Sequence, residues 1–267
     1  MKFKKLLLTA MTAVTAFSMA ACGSSTNAGV DAIKSKGKLV VATSPDYAPF
    51  EFQTLVDGKN KVVGADMDLA QAIADELGVK LEISTMSFDN VLTSLQAGKA
   101  DLAISGLAVT DERKAVFDFS ESYYDTKISL LVRKADLDKY ASLEAFDGVS
   151  VAAQKGSIPE SMVKEQLPKA NLISLTNMGE AINELQAGKV EAVNLDEPVA
   201  LSYAAQNKDL AVAKVALKTT GGDANAVAMP KGSDELKEVV DKVVKKVKAE
   251  GTYKTYLENA SKLSVAE

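Results

Sequence analysis

The residue types of this 267-residue chain restrict the chemistry available to it. It contains no His, which excludes a Ser-His-Asp or Cys-His nucleophile and a His-ligated zinc site. Its single Cys, Cys22, excludes an intrachain disulfide and a thiolate metal cluster. Among 31 basic residues only Arg113 and Arg133 are arginines, and a guanidinium can hold a carboxylate through two parallel hydrogen bonds, which an ammonium cannot. We expect no catalytic residue, no metal and no cofactor.

Charge and length limit the partners further. The formal net charge is −5, there is no Trp, and aromatic residues make up 6% of the chain, which argues against a nucleic-acid surface. A chain of this length can form one large or two medium domains.

Residues 1–21 have the features of an export signal. Three lysines precede an uncharged, largely apolar stretch that ends near residue 19 and is short for a membrane-spanning helix. Residues 19–22, Met-Ala-Ala-Cys, resemble a bacterial lipoprotein processing site, in which the Cys becomes the first residue and is acylated. The alternative is an ordinary cleaved signal with an incidental Cys. Residues 22–35 begin with small polar residues and are predicted to be a flexible tether.

Apolar spacing predicts strands that alternate with helices. Residues 38–42 form a short apolar run of strand length, and residues 66–77 place apolar side chains at helical spacing before Gly78, where a left-handed cap is expected. Residues 79–83 then alternate as in a strand. This order indicates an α/β architecture with mostly parallel sheet. The final helix is predicted from about 233 to 250, with a solvated Lys-rich face.

A five-residue motif occurs twice and indicates two similar units. Leu-Gln-Ala-Gly-Lys spans residues 95–99 and again 185–189, each time after a helical pattern and before a strand-like run. Chance similarity of a common helix–Gly–strand unit is the alternative. The surrounding order of elements also repeats, because residues 39–42 open the first unit and residues 149–153 open the second. This repetition favours two α/β lobes.

Four motifs, in order along the chain, resemble those of the family 3 extracellular solute-binding proteins, the polar amino-acid receptors of ABC importers. They are DYAPFEF at 46–52, GADMDL at 64–69, TDER at 110–113 ahead of FDFSESYY at 117–124, and MPKGS at 229–233. The resemblance covers about residues 36–262. The chain departs from the family pattern at Ala65, where a large residue is usual.

The resemblance implies a fold, a set of boundaries and a partner. Members have an α/β, two-lobed periplasmic-binding-protein-like fold (type II), in which two hinge strands join the lobes and the ligand lies in the interlobe cleft. This places lobe 1 at about 36–126 plus 222–267 and lobe 2 at about 127–221. It implies a monomer that captures a polar amino acid and delivers it to a transporter permease with its ATPase. A lipid on Cys22, such as palmitate, would hold it to the outer face of the bacterial cytoplasmic membrane.

A free amino acid is a zwitterion, so its burial requires a cation at one end and an anion at the other. By the resemblance, Arg113 binds the ligand carboxylate and Asp196 accepts the ammonium; without it, Asp196 would be interpreted as a helix N-cap. Arg133, beside Lys134 after a strand-like run, is expected to be exposed. The resemblance also implies two aromatic walls and several backbone donors: Tyr47 and Phe88 for the walls, and Gly106, Ala108, Gly156 and Ile158 for the donors. Phe88 as a simple core residue remains the alternative.

The specificity of the cleft depends on two further positions. Ser44 stands where many relatives have Asp, and Gln154 occupies a position that contacts the ligand side chain in relatives. Three nearby acidic residues can supply negative potential: Asp46, Glu51 and Asp66. No arginine beyond Arg113 is available to neutralise an acidic ligand side chain. Arginine or lysine is therefore expected slightly ahead of glutamine. Two other functions stay open, a cyclic amino-acid dehydratase on the same scaffold and a ligand-sensing lipoprotein.

Overall fold

The computed structural model describes residues 29–219 and 224–264, so the predicted signal, Cys22 and the start of the tether lie outside the described residues. The helices in these ranges are α1 (Val30–Lys36), α2 (Ala65–Leu77), α3 (Phe88–Gln96), α4 (Asp111–Val116), α5 (Ile158–Gln166), α6 (Met178–Gln186), α7 (Glu197–Gln206), α8 (Asp234–Ala249) and α9 (Thr252–Ser264). The strands are β1 (Lys38–Thr43), β2 (Asp46–Tyr47), β3 (Glu51–Val56), β4 (Lys59–Val63), β5 (Lys80–Thr85), β6 (Leu102–Ala103), β7 (Phe117–Phe119), β8 (Tyr124–Asp125), β9 (Ile128–Arg133), β10 (Ser150–Gln154), β11 (Asn171–Leu175), β12 (Ala192–Asp196), β13 (Leu210–Val212), β14 (Ala224–Asn225) and β15 (Ala228–Pro230). None of these helices is both long and apolar enough to cross a membrane.

Lobe 1 is built on a five-stranded sheet with the order β5-β1-β6-β15-β7. β1 pairs in parallel with β5 and β6, whereas β15 pairs antiparallel with β6 and β7. α2 and α3 pack on β1, and α8 packs on α2. The small sheet β2-β3-β4 completes this lobe.

Lobe 2 repeats the same sheet with the order β11-β10-β12-β9-β13. β10 pairs in parallel with β11 and β12, and β9 pairs antiparallel with β12 and β13. In each sheet four strands run in the same direction and one, β15 or β9, runs in the opposite direction, so the prediction of a mostly parallel sheet is confirmed. The antiparallel strands arise because β9 and β15 each enter their sheet directly after the chain has crossed from the other lobe.

Two short strands carry the chain between the lobes. β8 follows β7 of lobe 1, β14 precedes β15 of the same lobe, and the two pair antiparallel with Tyr124 opposite Asn225. They are the two hinge strands of the expected two-lobed α/β fold. The predicted lobe limit at 126/127 lies between β8 and β9, and the limit at 221/222 lies outside the described residues.

The repeated motif corresponds to the same unit in each lobe. α3 and α6 are nine residues long, and each is followed by a glycine with a left-handed backbone, Gly98 with φ 68° and Gly188 with φ 72°. Each unit then leads into a central strand, β6 or β12. The repeat therefore reflects structural equivalence rather than chance similarity of short sequences.

The predicted helix over 66–77 is confirmed as α2, and its start explains the Gly-Ala-Asp motif. Gly64 has φ 129°, and a Cβ there would lie 2.1 Å from the Phe50 carbonyl oxygen, so only glycine fits. The helix buries Leu69 and Ile73, each worth about 1.5–3 kcal/mol, and it ends at Gly78 with φ 71°.

Two predictions at the ends of the fold need correction. The tether predicted over 22–35 is too long, because α1 forms from Val30 and its buried Ile33 packs in the core of lobe 1. The helix predicted at 233–250 is confirmed as α8 but is not the final one, since α9 follows at Thr252–Ser264.

Candidate functional site

A small cavity lies between the two lobes. Residues from both lobes line it: Tyr47, Phe88, Gly106, Ala108, Arg113, Ile128, Gln154, Ser157, Ile158, Pro159 and Asp196. Of the ten ligand-binding positions predicted from the sequence, eight are in this lining. The other two, Ser44 and Gly156, are outside it.

Arg113 reaches the cavity from the first turn of α4. The hydroxyl of Thr110 accepts from its backbone N–H at 3.1 Å and so caps the helix. Its guanidinium donates to the carbonyl of Ala108 at 2.7 Å and, across the cleft, to the carbonyl of Gly156 at 3.2 Å. Burial lowers the pKa of Arg113 to about 10, so it stays cationic at pH 7. Within the described ranges it forms no salt bridge, and two of its five N–H donors are used.

Asp196 faces Arg113 from the other lobe, where β12 ends and α7 begins. It occupies the N-cap position, but its side chain makes no capping bond, so the alternative interpretation as a simple helix cap does not account for the carboxylate. Its backbone N–H donates to the Tyr47 hydroxyl at 3.0 Å. Burial raises the pKa of Asp196 to about 7, although the hydroxyls of Tyr47 and Thr126 lower it. Burial thus disfavours the unpaired carboxylate, and a cation bound beside it would stabilise the charged form.

The two aromatic residues form walls and also belong to the interior. Tyr47 is buried and its ring stacks on Phe50 at 6.2 Å between centroids. Phe88 begins α3 and packs against a buried apolar cluster of lobe 1 that includes Val91 and Leu95. The centroid of its ring lies 6.0 Å from the guanidinium carbon of Arg113. Both interpretations of Phe88, cavity wall and core residue, thus apply to the same side chain.

Four backbone N–H groups were candidates for binding a carboxylate, and two of them are already occupied. Gly106 donates to Asp66 at 2.8 Å, and Gly156 donates to Glu160 at 2.9 Å. Ala108 is in a non-hydrogen-bonded pair with Asn225, so its N–H points away from that strand, to the same side as the carbonyl that accepts from Arg113. Ile158 is the first residue of α5 and supplies an unbonded helical N–H beside the cavity. Ala108 and Ile158 are therefore the available donors.

Ser44 is not part of the cavity lining. It is buried, its backbone N–H donates to Ser105, and its hydroxyl donates to Asp46 at 2.9 Å. Gln154, in contrast, lines the cavity and its side-chain amide donates to Asp46 at 3.2 Å. The resemblance implied ligand contacts for both residues, whereas only Gln154 is in the cavity lining.

Glu51 and Asp66 form a buried acidic pair behind the cavity wall. Glu51 accepts from Ser105 at 2.8 Å, and Asp66 accepts from Tyr123 at 2.9 Å and Tyr253 at 2.6 Å. Burial raises the pKa of both carboxyl groups, most strongly that of Glu51, and the charge of Asp66 raises it further. Neither residue is in the lining, so their role is to hold the wall.

Hydrogen bonds across the cleft define a closed arrangement of the lobes. The Arg113 guanidinium donates to the Gly156 carbonyl, and the backbone N–H of Asp196 donates to the Tyr47 hydroxyl. The backbone N–H of Met178 donates to the Asp46 carboxylate at 2.8 Å. In each case one partner is in lobe 1 and the other in lobe 2.

Arg133 is half-buried, so the prediction that it is exposed is wrong. Its guanidinium forms salt bridges with Asp136 and Glu191 and donates to two backbone carbonyls near the end of α6. Its role is to join β9 to the α6–β12 connection, away from the cavity.

Three residues of the lining are not among the predicted positions: Ile128, Ser157 and Pro159. Ile128 is the first residue of β9 and pairs with Asp196 across the sheet. Its position directly after the crossing between lobes is the signal that would have identified it. Pro159 follows Ser157, which caps α5 because its hydroxyl accepts from the Glu160 N–H at 3.1 Å.

Comparisons with known proteins agree with this arrangement. Residues 39–260 match the model of the bacterial extracellular solute-binding proteins, family 3. An amino acid ABC transporter substrate-binding protein from Streptococcus pneumoniae Canada MDR_19A, solved bound to L-arginine, is 73% identical. That match covers 88% of this chain and 98% of that chain with a TM-score of 0.87.

Two further relatives are similar over most of their length. AbpA, another amino acid ABC transporter substrate-binding protein from the same S. pneumoniae strain bound to L-arginine, is 53% identical with a TM-score of 0.86, over 89% of this chain and 100% of that chain. The arginine-binding extracellular protein ArtP of Bacillus subtilis (strain 168) is 34% identical over 93% of this chain and 94% of ArtP.

Proposed function

The chain belongs to the bacterial extracellular solute-binding proteins, family 3, and on this premise we propose that it captures free arginine outside the cytoplasm and delivers it to an ABC importer. The observation that carries the proposal is the pair of opposite charges that face the cavity from opposite lobes. Arg113 and Asp196 each lack a salt-bridge partner among the described residues. A zwitterion placed between them supplies both missing charges, whereas a simple anion or cation supplies one.

The backbone of the ligand is held at its carboxylate by three groups. Arg113 offers its remaining guanidinium donors, and the N–H groups of Ala108 and Ile158 add donors from both lobes. Asp196 receives the ammonium. Since the carboxylate is contacted by both lobes, the ligand stabilises the closed arrangement over the open one, which is the condition for a ligand to shift that equilibrium.

Arginine is the preferred side chain for three reasons. The three relatives described above are arginine-bound or named as arginine-binding. Gln154 brings an amide to the cavity, and Tyr47 and Phe88 flank an aliphatic stem. Arg133, the other arginine, is paired with Asp136 and Glu191, so it is not available to neutralise an acidic ligand side chain. Lysine follows arginine, and glutamine comes next.

Attachment and delivery complete the proposal. A lipid on Cys22 would hold the protein at the outer face of the cytoplasmic membrane, and the permease with its ATPase would receive the ligand from the closed monomer. We propose binding rather than catalysis, because the relatives described above are substrate-binding proteins.

Calorimetry of the ligand-stripped protein with each of the twenty amino acids tests the proposal. The expected result is tightest binding of arginine, weaker binding of lysine and then glutamine, and no measurable binding of glutamate or aspartate. Binding of none of the twenty, or of an acidic amino acid first, would refute it. Turnover of prephenate or arogenate would instead favour the dehydratase alternative.

A further inference from the structure

Asp46 receives donors from both lobes although it is not part of the cavity lining. It is the residue before Tyr47 in β2, and its carboxylate accepts from the Ser44 hydroxyl at 2.9 Å within lobe 1. From lobe 2 it accepts from the Met178 N–H at 2.8 Å and from the Gln154 amide nitrogen at 3.2 Å. A carboxylate that meets three donors is held in one orientation.

The contact with Asp46 determines which end of the Gln154 amide points where. An ionised carboxylate only accepts hydrogen bonds, so the amide must turn its nitrogen toward Asp46 and its oxygen away. Gln154 is 3% exposed and lines the cavity. Among the hydrogen bonds of the described residues, none involves its amide oxygen, which leaves that atom free to accept from a ligand.

We infer that Asp46 is a positioning residue for ligand specificity: it fixes the Gln154 amide so that the oxygen accepts a hydrogen bond from the ligand side chain. A guanidinium consists only of donors at its tip and fits this acceptor. An isosteric urea presents an oxygen at one of the same two positions and fits it less well. The inference rests on the proposed arginine-binding function and deepens it.

The same contacts couple side-chain recognition to closure. Gln154 and Met178 belong to lobe 2 and Asp46 to lobe 1, so both bonds exist only when the lobes are together. Met178 is the first residue of α6, where a carboxylate is favoured by the unbonded N–H groups of the helix end. Ser44 keeps Asp46 oriented within its own lobe. The amide is therefore oriented at the moment at which the ligand is enclosed.

The test compares arginine with citrulline, which has the same shape but a urea in place of the guanidinium. Kd for both ligands is measured by calorimetry for the wild type, Asp46→Leu, Gln154→Met and the double variant. We expect Asp46→Leu to lower the ratio of the citrulline Kd to the arginine Kd by about tenfold or more. In the Gln154→Met background the same substitution should change the ratio by less than about threefold, because the oriented amide is already gone.

Asp89→Leu is the matched control. Asp89 forms a salt bridge with Lys155 of lobe 2 at 2.9 Å. The substitution therefore removes one acidic side chain and one contact across the cleft, but no contact with Gln154. It should leave the ratio unchanged. If circular dichroism shows that Asp46→Leu is unfolded, Asp46→Asn replaces it, since an amide there can donate to the Gln154 oxygen and release the orientation.

Three results would overturn the inference. One is a wild-type ratio retained in the Asp46 variant. Another is an equal loss with and without Gln154, which would make Asp46 a remote charge rather than a positioning residue. In both of these cases arginine binding by the wild type leaves the proposed function intact. Failure of the wild type to bind arginine refutes the proposed function itself, and the inference with it.

Discussion

Arg113→Ala should remove most of the affinity for the ligand while leaving the fold intact. The substitution deletes the one guanidinium that lines the cavity in the described part of the chain, along with its bonds to the carbonyls of Ala108 and Gly156. Truncating one partner of a buried, hydrogen-bonded charge pair costs about 2–5 kcal/mol. Because 1.4 kcal/mol corresponds to a factor of ten, Kd should rise by roughly 30-fold to several thousand-fold.

Titration calorimetry with arginine measures this effect, and two variants separate its causes. Arg113→Lys keeps the charge but not the planar fork, so it should fall between the wild type and Arg113→Ala. Arg133→Ala removes the other arginine, which binds Asp136 and Glu191 outside the cavity, and should lower the melting temperature without changing Kd. An Arg113→Ala protein with a native circular dichroism spectrum and a Kd within threefold of wild type would refute the assignment.

Three further predictions concern the anion, the anchor and the hinge. Burial raises the pKa of Asp196 from its ordinary value of 3.8 to about 7, so the folded, ligand-free protein binds this proton more tightly than the unfolded chain does. The stability that this group contributes is therefore complete below about pH 4 and is lost as the pH rises to about 7. Arginine affinity should instead increase from about pH 5.5 to about pH 8, and Asp196→Asn should lose that pH dependence in calorimetry; a wild-type Kd independent of pH would contradict this role. Cys22→Ser should release the protein from washed membranes with an unchanged Kd, and retention would point to another attachment. Saturating arginine should lower the radius of gyration in small-angle scattering, and no change from an open ligand-free form would contradict closure.

Elements with strong local signals are predictable from the sequence. α2 combines apolar residues at helical spacing with a glycine at each end, and both glycines adopt backbones that other residues avoid. The repeated Leu-Gln-Ala-Gly-Lys motif identifies equivalent units because the same helix end and strand start recur in each lobe. α9 carries a comparable signal, since Tyr253, Tyr256, Leu257 and Ala260 follow helical spacing and pack inward.

The partners of the site residues are less predictable, because they are set by contacts between distant segments. Nothing in the spacing indicates that the Gly106 N–H is bonded to Asp66, 40 residues earlier. Ser44 and Asp46 are two residues apart, yet Asp46 is the one that contacts Gln154 and Met178, more than 100 residues away. Arg133 likewise becomes structural only because Glu191 lies on the neighbouring connection of the folded lobe.

A crystal structure of the protein with L-arginine would test the central claim most directly. The account predicts closed lobes, with the ligand carboxylate on the Arg113 guanidinium and the N–H groups of Ala108 and Ile158. It predicts the ammonium at Asp196 and the ligand guanidinium at the Gln154 amide oxygen. A ligand bound in the reverse orientation, or outside the cleft between the lobes, would contradict it.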